Sequence, residues 1–270
     1  MCERNDFIMR IGITERGDAG INMQWVDPVK SGFCDGAVLI TKNITPLFVE
    51  KVMDCYQAGA KLIIHATCTG WGGTLMEPNV PKFEKQILHL AELHEKGFPL
   101  TNCVLRIDPI VPSDMGLRHI REIIAYAEKK GVLPTARIRI SVYDEYAHVK
   151  ERLNKAGFRS FYPGRSFQAS TEQFEQIATL LSEYDYTFYT CAEPKLKLFE
   201  KKPGQIIQSG CISEQDLDIM GLQIPDIISV NKQNRTGCMC LSCKTELLTD
   251  KKQCPHKCIY CYWKDNQHGG

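Results

Sequence analysis

At 270 residues the chain can bury one substantial core, and an α/β barrel is within reach of a single domain of this size. No run approaches the roughly eighteen uninterrupted apolar residues of a membrane span, and 33 Lys and Arg against 32 Asp and Glu exclude a global basic field of the kind that coats nucleic acid. Thirteen cysteines, an odd number, with no apolar leader at Met1, favour a reduced, cytoplasmic setting over a disulfide scaffold.

The first strand candidate covers residues 7–13, and its end delivers Thr14-Glu-Arg-Gly-Asp18. Polar residues arriving just after an inner strand stand where barrel enzymes build their sites. Residues 36–41 form the second candidate, followed by a helix over 46–58. Thr45 suits its N-cap, Pro46 its first turn and Gly59 its stop. Further strands are expected at 61–67, 102–108 and 136–142, with helices over 82–96, 117–130 and 144–156. A short extra strand at 158–161, a helix over 171–183 and strands at 186–190 and 227–230 complete the series. Strand and helix alternating at this pace indicate parallel strands joined by right-handed crossovers. The expected fold is α/β, a single parallel β/α barrel, partial or complete, over residues 1–230, with residues 231–270 as a cysteine-rich segment packed on it. No G-x-G-x-x-G or G-x4-G-K-[ST] follows a strand, which argues against a Rossmann dinucleotide site or a P-loop.

Several polar residues cluster at the strand ends. Lys42 and Asn43 follow the second strand, and Cys68 follows the third as a candidate reactive thiol. Trp71, flanked by glycines, offers a stacking surface, while Glu77 and Asn79 stand on either side of Pro78, with Pro81 following. Residues two apart on a strand share a face, so Arg106 points with Asp108 and Arg137 with Arg139. A buried arginine needs a carboxylate; that partner is either a ligand's or Asp108 itself in an internal pair. Tyr143, Tyr189, Tyr260 and Tyr262 read from the residues alone as ordinary aromatic packing. Lys195, Lys197, Lys201 and Lys202 form one local basic group, and Lys251, Lys252, Lys257 and Lys264 another; each reads equally as a solvated face.

Residues 251–263 read Lys-Lys-Gln-Cys-Pro-His-Lys-Cys-Ile-Tyr-Cys-Tyr-Trp and set Cys254, Cys258 and Cys261 in a C-x3-C-x2-C spacing. Three thiolates this close can cap three irons of a [4Fe-4S] cube and leave the fourth iron open. A zinc site recruiting His256 or the upstream cysteines is the competing reading. Cys238, Cys240 and Cys243 form a C-x-C-x2-C run that cannot place every side chain in one apolar interior, which suits a ligand loop.

The motif from Cys254 to Cys261, with Tyr260 immediately before the last cysteine, resembles the cluster motif of the radical S-adenosylmethionine (SAM) superfamily. Its C-terminal position is similar to that of a bacterial and phage family of radical SAM proteins. The stretches at 34–46, 73–81 and 104–112 resemble the same family, so the likeness spans nearly the whole chain. A looser likeness links it to the spore photoproduct lyase branch.

This resemblance implies a permuted barrel whose C-terminal segment returns to the active rim. It implies a SAM-binding [4Fe-4S] cluster on Cys254, Cys258 and Cys261, and a second [4Fe-4S] cluster on Cys191, Cys211, Cys238 and Cys240, with Cys243 spare. Arg16, Lys42, Asn43, Trp71, Glu77, Asn79, Arg106, Asp108 and Tyr260 are then expected at SAM, and Cys68, Tyr143 and Tyr189 near the chemistry. The implied activity is reductive cleavage of SAM and hydrogen abstraction by a lyase, isomerase or base-modifying enzyme, fed by flavodoxin or ferredoxin. A nucleic-acid base or nucleoside is the expected substrate, suggested also by Trp71 and the local lysines. An amino acid or small metabolite is the alternative, and a non-enzymatic iron–sulfur carrier or zinc-stabilised binding protein the last.

Overall fold

The strand segments are rich in Ile, Val and Leu, and each alternates between two buried faces, which is the pattern of a parallel sheet covered on both sides. A computed structural model describes residues 9–133, 137–162, 166–223, 237–249 and 254–263. Among them lie strands β1 (Ile11–Ile13), β2 (Gly36–Thr41), β3 (Leu62–Thr67), β4 (Cys103–Ile110), β5 (Arg137–Val142), β6 (Phe188–Cys191), β7 (Ile206–Ser209) and β8 (Lys244–Glu246). The helices are α1 (Val26–Lys30), α2 (Pro46–Gln57), α3 (Phe83–Glu95), α4 (Asp114–Lys129), α5 (Ala147–Lys155), α6 (Thr171–Leu181), α7 (Pro194–Leu198) and α8 (Glu214–Ile219).

All eight strands form one sheet in the order β7-β6-β5-β4-β3-β2-β1-β8, and every pairing is parallel. Seven strands thus follow chain order, while β8, the last in sequence, lies beside β1. That is the ring order of a β/α barrel whose first strand has been moved to the C-terminal end. Among the described residues the ladder stops at β7 and β8, and the Leu241 N–H donates to the Ile212 carbonyl at 3.1 Å between the segments beside them.

Helix boundaries follow local chemistry. The Thr45 side chain accepts the Phe48 N–H and Pro46 opens α2. Ser113 caps α4, and Ser170 with Gln173 forms a reciprocal capping box on α6. The outward sheet face, including Leu39, Ile64, Leu105 and Ile140, packs on the helices in the main core. The opposite face carries Ile11, Ile13, Val38, Ile63 and Val104, and the segment after β7 covers it through Ile212, Leu217 and Met220. Arg137 and Arg139 do share that concave face, and both meet buried Asp216 of α8, at 2.6 and 3.5 Å.

The expected helices appear within a few residues of their anticipated limits. Residues 158–161 form no strand, because Ser160 and Phe161 are engaged by the Glu145 carboxylate rather than by a ladder. The strand expected at 227–230 lies outside the described residues. In contrast, β7 and β8 were not anticipated. β8 reads Lys-Thr-Glu with no apolar alternation, and it is a strand because β1 supplies a template for it.

Candidate functional site

The C-terminal ends of β1, β2 and β3 present Asp18, Lys42 and the loop carrying Thr69 and Glu77, and residues 254–263 dock across them. Asp18 is buried and accepts from the Thr41 hydroxyl at 2.6 Å, the Lys42 N–H at 2.6 Å and the Gly20 N–H at 2.8 Å. Its second oxygen also meets His256 Nε2 at 2.7 Å. His256 Nδ1 lies 3.2 Å from the Asn79 carbonyl, so both ring nitrogens face acceptors. Burial lowers the imidazole's pKa, but the Asp18 carboxylate and the Asn79 carbonyl outweigh it and raise the group above its ordinary value. His256 is therefore an ion-pair partner that fastens the cysteine loop to β1.

A second fastening centres on Glu77, which is 1% exposed. Its carboxylate receives Lys42 Nζ at 2.8 Å, the Thr69 hydroxyl at 2.6 Å and the Tyr260 hydroxyl. Lys42 Nζ also lies 2.9 Å from the Tyr260 oxygen. Burial pushes the Glu77 carboxyl up, yet Lys42 and these hydrogen bonds hold it below the usual carboxylate range. For Lys42, burial acts downward and Glu77 and Cys258 raise the ammonium above its ordinary value.

Further contacts complete the docking. Asn79 Nδ2 donates to the Pro255 carbonyl at 2.6 Å, and Ile259 N–H to the Met76 carbonyl at 3.1 Å. From α5, His148 reaches the Tyr262 carbonyl at 2.8 Å and Arg152 the Cys261 carbonyl. Arg152 also keeps Nη1 buried and without a hydrogen-bond partner among the described residues, beside Cys261 and Cys258. The triad itself is lodged at this rim, with Cys258 buried and burial raising the Cys254 thiol to about 11. Two cations, Lys42 and Arg152, act on its sulfurs.

The remaining anticipated residues divide by position. Arg16 is exposed, and its backbone N–H donates to Glu246 at 3.0 Å. Among the described residues Asn43 Oδ1 is buried and without a hydrogen-bond partner. Trp71 is buried edge-on against His119 at a 4.7 Å centroid distance, so part of its stacking surface is already used. Cys68 is buried near Lys42 and Glu77, and burial raises its pKa strongly, which keeps it a protonated thiol. Tyr143 packs with Tyr162, Phe161 and, at 6.5 Å, Tyr260. The Tyr189 hydroxyl accepts from Gln215 Nε2 of α8 at 3.3 Å. Arg106 and Asp108 pair with each other through Nε at 2.8 Å, which is the internal-pair alternative; Arg106 Nη2 also lies 3.8 Å from Cys211 Sγ.

The upstream cysteines form a separate centre. Cys191 ends β6, Cys211 follows β7 and Cys240 precedes β8, and their sulfurs all lie within 4.8 Å of one another. Cys238 hydrogen-bonds Cys191 and Cys240. Those bonds, led by the one to Cys191, hold the Cys238 thiol down at about 5; bonds from Cys191 and Cys211 hold Cys240 at about 4. Cys243 is half-buried and does not belong to the gathered sulfurs.

The family model described as Domain of unknown function (DUF1848) matches residues 22–263. The chain belongs to the DUF1848 family. No curated protein matches it. In this DUF1848 domain the parallel sheet thus carries two cysteine groups: the triad, and a buried set with metal-ligand geometry. Among the described residues, no helix is long and apolar enough to cross a membrane.

Sequence reasoning missed Asp216, His256 as an ion-pair partner, and Arg152 with His148. Asp216 was signalled by Ser213-Glu-Gln-Asp216, a capping-box spacing, and the box is present. His148 and Arg152 are four apart on one face of α5, a spacing that marks a shared face but not its partner.

Proposed function

We propose that the chain is a radical SAM iron–sulfur enzyme, with Cys254, Cys258 and Cys261 as ligands of a [4Fe-4S] cluster at the C-terminal rim. The observation that carries this reading is the docking of the triad over β1, β2 and β3, where a barrel builds its active site. The residues present fit an anionic cluster. Lys42 and Arg152 act on the triad's sulfurs, and Arg152 Nη1 is a buried donor with no hydrogen-bond partner among the described residues. A bound cluster and SAM would supply reductive cleavage of the sulfonium and a 5'-carbon able to take a substrate hydrogen.

The chain's own residues would orient and shield this chemistry. Glu77, Lys42 and Tyr260 fix the cysteine loop at a set height above the sheet. Asn43, whose buried oxygen has no hydrogen-bond partner among the described residues, is the group best placed to receive a ligand's N–H or O–H. Tyr143 and the aromatic rings around it exclude water from the β5 side. Arg16, exposed at the end of β1, is available to a carboxylate arriving from solvent.

A small substrate, nucleoside-like or amino-acid-like, suits this surface better than a nucleic-acid polymer. Three of the four lysines at 195–202 face acidic partners: Lys197 meets Glu200 at 2.6 Å, Lys201 meets Glu175 at 2.9 Å and Lys202 meets Asp185 at 2.8 Å. The fourth, Lys195, donates to Gln168. Charges already paired contribute little to phosphate binding. A low-potential flavodoxin or ferredoxin is the electron donor in this reading. Anaerobically reconstituted protein with dithionite and SAM should release 5'-deoxyadenosine and methionine, and the Cys254→Ala/Cys258→Ala/Cys261→Ala variant should release neither. Equal release by the variant would sink the assignment.

A further inference from the structure

We propose that Cys191, Cys211, Cys238 and Cys240 hold one tetrahedral divalent ion, zinc by preference, that clasps the β7 and β8 ends of the sheet together. A second iron–sulfur cube does not fit this site. Cys191 and Cys211 sulfurs are 3.6 Å apart, and the three buried sulfurs all fall within 4.8 Å of one another. Four thiolates about 2.3 Å from one zinc stand about 3.8 Å from each other. Around a [4Fe-4S] cube the irons and sulfides lie between the thiolates, which are then spread to roughly 6 Å. Cys238 lies outside the three-sulfur set and joins it through its contacts with Cys191 and Cys240.

The backbone holds the tight arrangement. Cys211 N–H donates to Cys240 Sγ at 3.1 Å, and Leu241 N–H to the Ile212 carbonyl at 3.1 Å, so the two ligand loops are bonded directly across the site. A Cβ on Gly210 would stand 2.6 Å from Cys240 Cα; only glycine allows the loops to come this close. Spreading the sulfurs to the dimensions of a cube would pull these contacts apart. Ala192, next to Cys191, adopts φ 58°, an uncommon conformation for a residue with a Cβ, and it turns the chain immediately after that ligand.

The surroundings match a tetrathiolate centre. Four thiolates and a divalent ion carry two net negative charges, and two cations lie alongside: Arg106, with Nη2 3.8 Å from Cys211 Sγ, and Lys244, which interacts with Cys240 and Cys211. Hydrogen bonds from a backbone N–H and an arginine to ligand sulfur are the outer contacts that orient metal-bound thiolates. Soft sulfur donors in a tetrahedron select zinc or iron.

Position gives the ion its role. One ligand ends β6, one follows β7 and two precede β8, so the centre sits between β7 and β8, which share no ladder among the described residues. The clasp does for the sheet what a ladder between β7 and β8 would do.

The test is metal and sulfide analysis of the Cys254→Ala/Cys258→Ala/Cys261→Ala variant, purified anaerobically, with X-ray absorption at the metal edge. The expected result is about one zinc or one iron per chain, no acid-labile sulfide, a sulfur shell near 2.3 Å and no metal–metal scattering. About four irons with four sulfides per chain and an iron–iron shell would overturn it, and so would a chain holding no metal. A second arm guards against misfolding of the triad variant: Cys240→Ala in the otherwise native chain should lose that single ion and keep the triad's iron. Retention of the ion, or loss of a full cube's iron and sulfide, would refute the clasp. Neither arm depends on SAM chemistry, so the clasp and the enzymatic reading fail separately.

Discussion

Replacing Glu77 by Gln removes one charge from a buried network without changing its shape. The carboxylate is 1% exposed and receives Lys42, Thr69 and Tyr260, while the Lys42 side chain is 19% exposed. Without it, Lys42 keeps the Tyr260 oxygen at 2.9 Å and the more distant Asp108 carbonyl at 3.5 Å, neither of which carries a compensating charge. Breaking a buried pair from one side costs about 3–5 kcal/mol; because Lys42 retains some solvent and the amide can still accept from Thr69, we expect about 3 kcal/mol. Denaturant unfolding under anaerobic conditions measures it. Lys42→Met alone should cost a similar amount, and the double variant should cost at least about 1 kcal/mol less than the sum, the signature of direct coupling. Since Tyr260 stands between two ligands of the triad, iron should also be lost faster on desalting. A Glu77→Gln protein within about 0.5 kcal/mol of native, the range of ordinary surface changes, with full iron retention would refute the view that this network holds the cysteine loop in place.

Asp216→Asn should destabilise the fold by about 3–5 kcal/mol at neutral pH, because Arg137 and Arg139 would lose their carboxylate. Burial pushes the Asp216 carboxyl up, but Arg139 and Arg137 hold it below its ordinary value of 3.8; its contribution is therefore present above pH 3.8 and lost as pH falls through the lower folded value, so the variant's unfolding free energy should fall less steeply with acid in that window. Gly72→Ala should cost about 1–3 kcal/mol in a thermal melt, since a Cβ there would lie 2.1 Å from the Pro81 carbonyl oxygen; an unchanged melt would show that the loop yields freely. Arg152→Met should make the triad's cluster harder to reduce, because reduction adds negative charge beside a cation that has been removed; a redox titration followed by spin resonance showing an unchanged or higher potential would contradict its placement.

The sequence made some levels of this molecule legible and hid others. Alternating apolar positions in residues 36–41, 61–67 and 136–142 located three central strands, because a strand buried on both faces must carry apolar residues throughout or pair its charges. The face shared by Arg137 and Arg139 followed from strand period alone, but their partner did not: Asp216 lies on a helix some eighty positions away, and which acid reaches an arginine is decided by packing. β8 was invisible for a related reason. Lys244-Thr-Glu246 becomes a strand through its neighbour β1, and Glu246 is anchored by the N–H groups of Glu15 and Arg16, contacts that no local window contains. The cysteines gave a mixed case: spacing marked residues 254–261 and 238–243 as ligand candidates, whereas Cys191 and Cys211, which gather with Cys240, were implied only by the family resemblance. What spacing could not give was the separation of the sulfurs, set by Gly210 and by the hydrogen bonds between the two ligand loops. Lys42, Glu77 and Tyr260, singled out as SAM contacts, are brought together at the rim, but their hydrogen-bond partners are largely one another.

The central claim is that the rim triad supports reductive cleavage of SAM, and single-turnover incubation of the dithionite-reduced, iron-loaded protein with SAM tests it most directly. The account predicts 5'-deoxyadenosine and methionine in equal amounts, abolished in the Cys254→Ala/Cys258→Ala/Cys261→Ala variant and retained in Cys240→Ala if that protein folds. A reduced protein that carries a full triad cluster, binds SAM and yet forms no 5'-deoxyadenosine above the variant's background would contradict it.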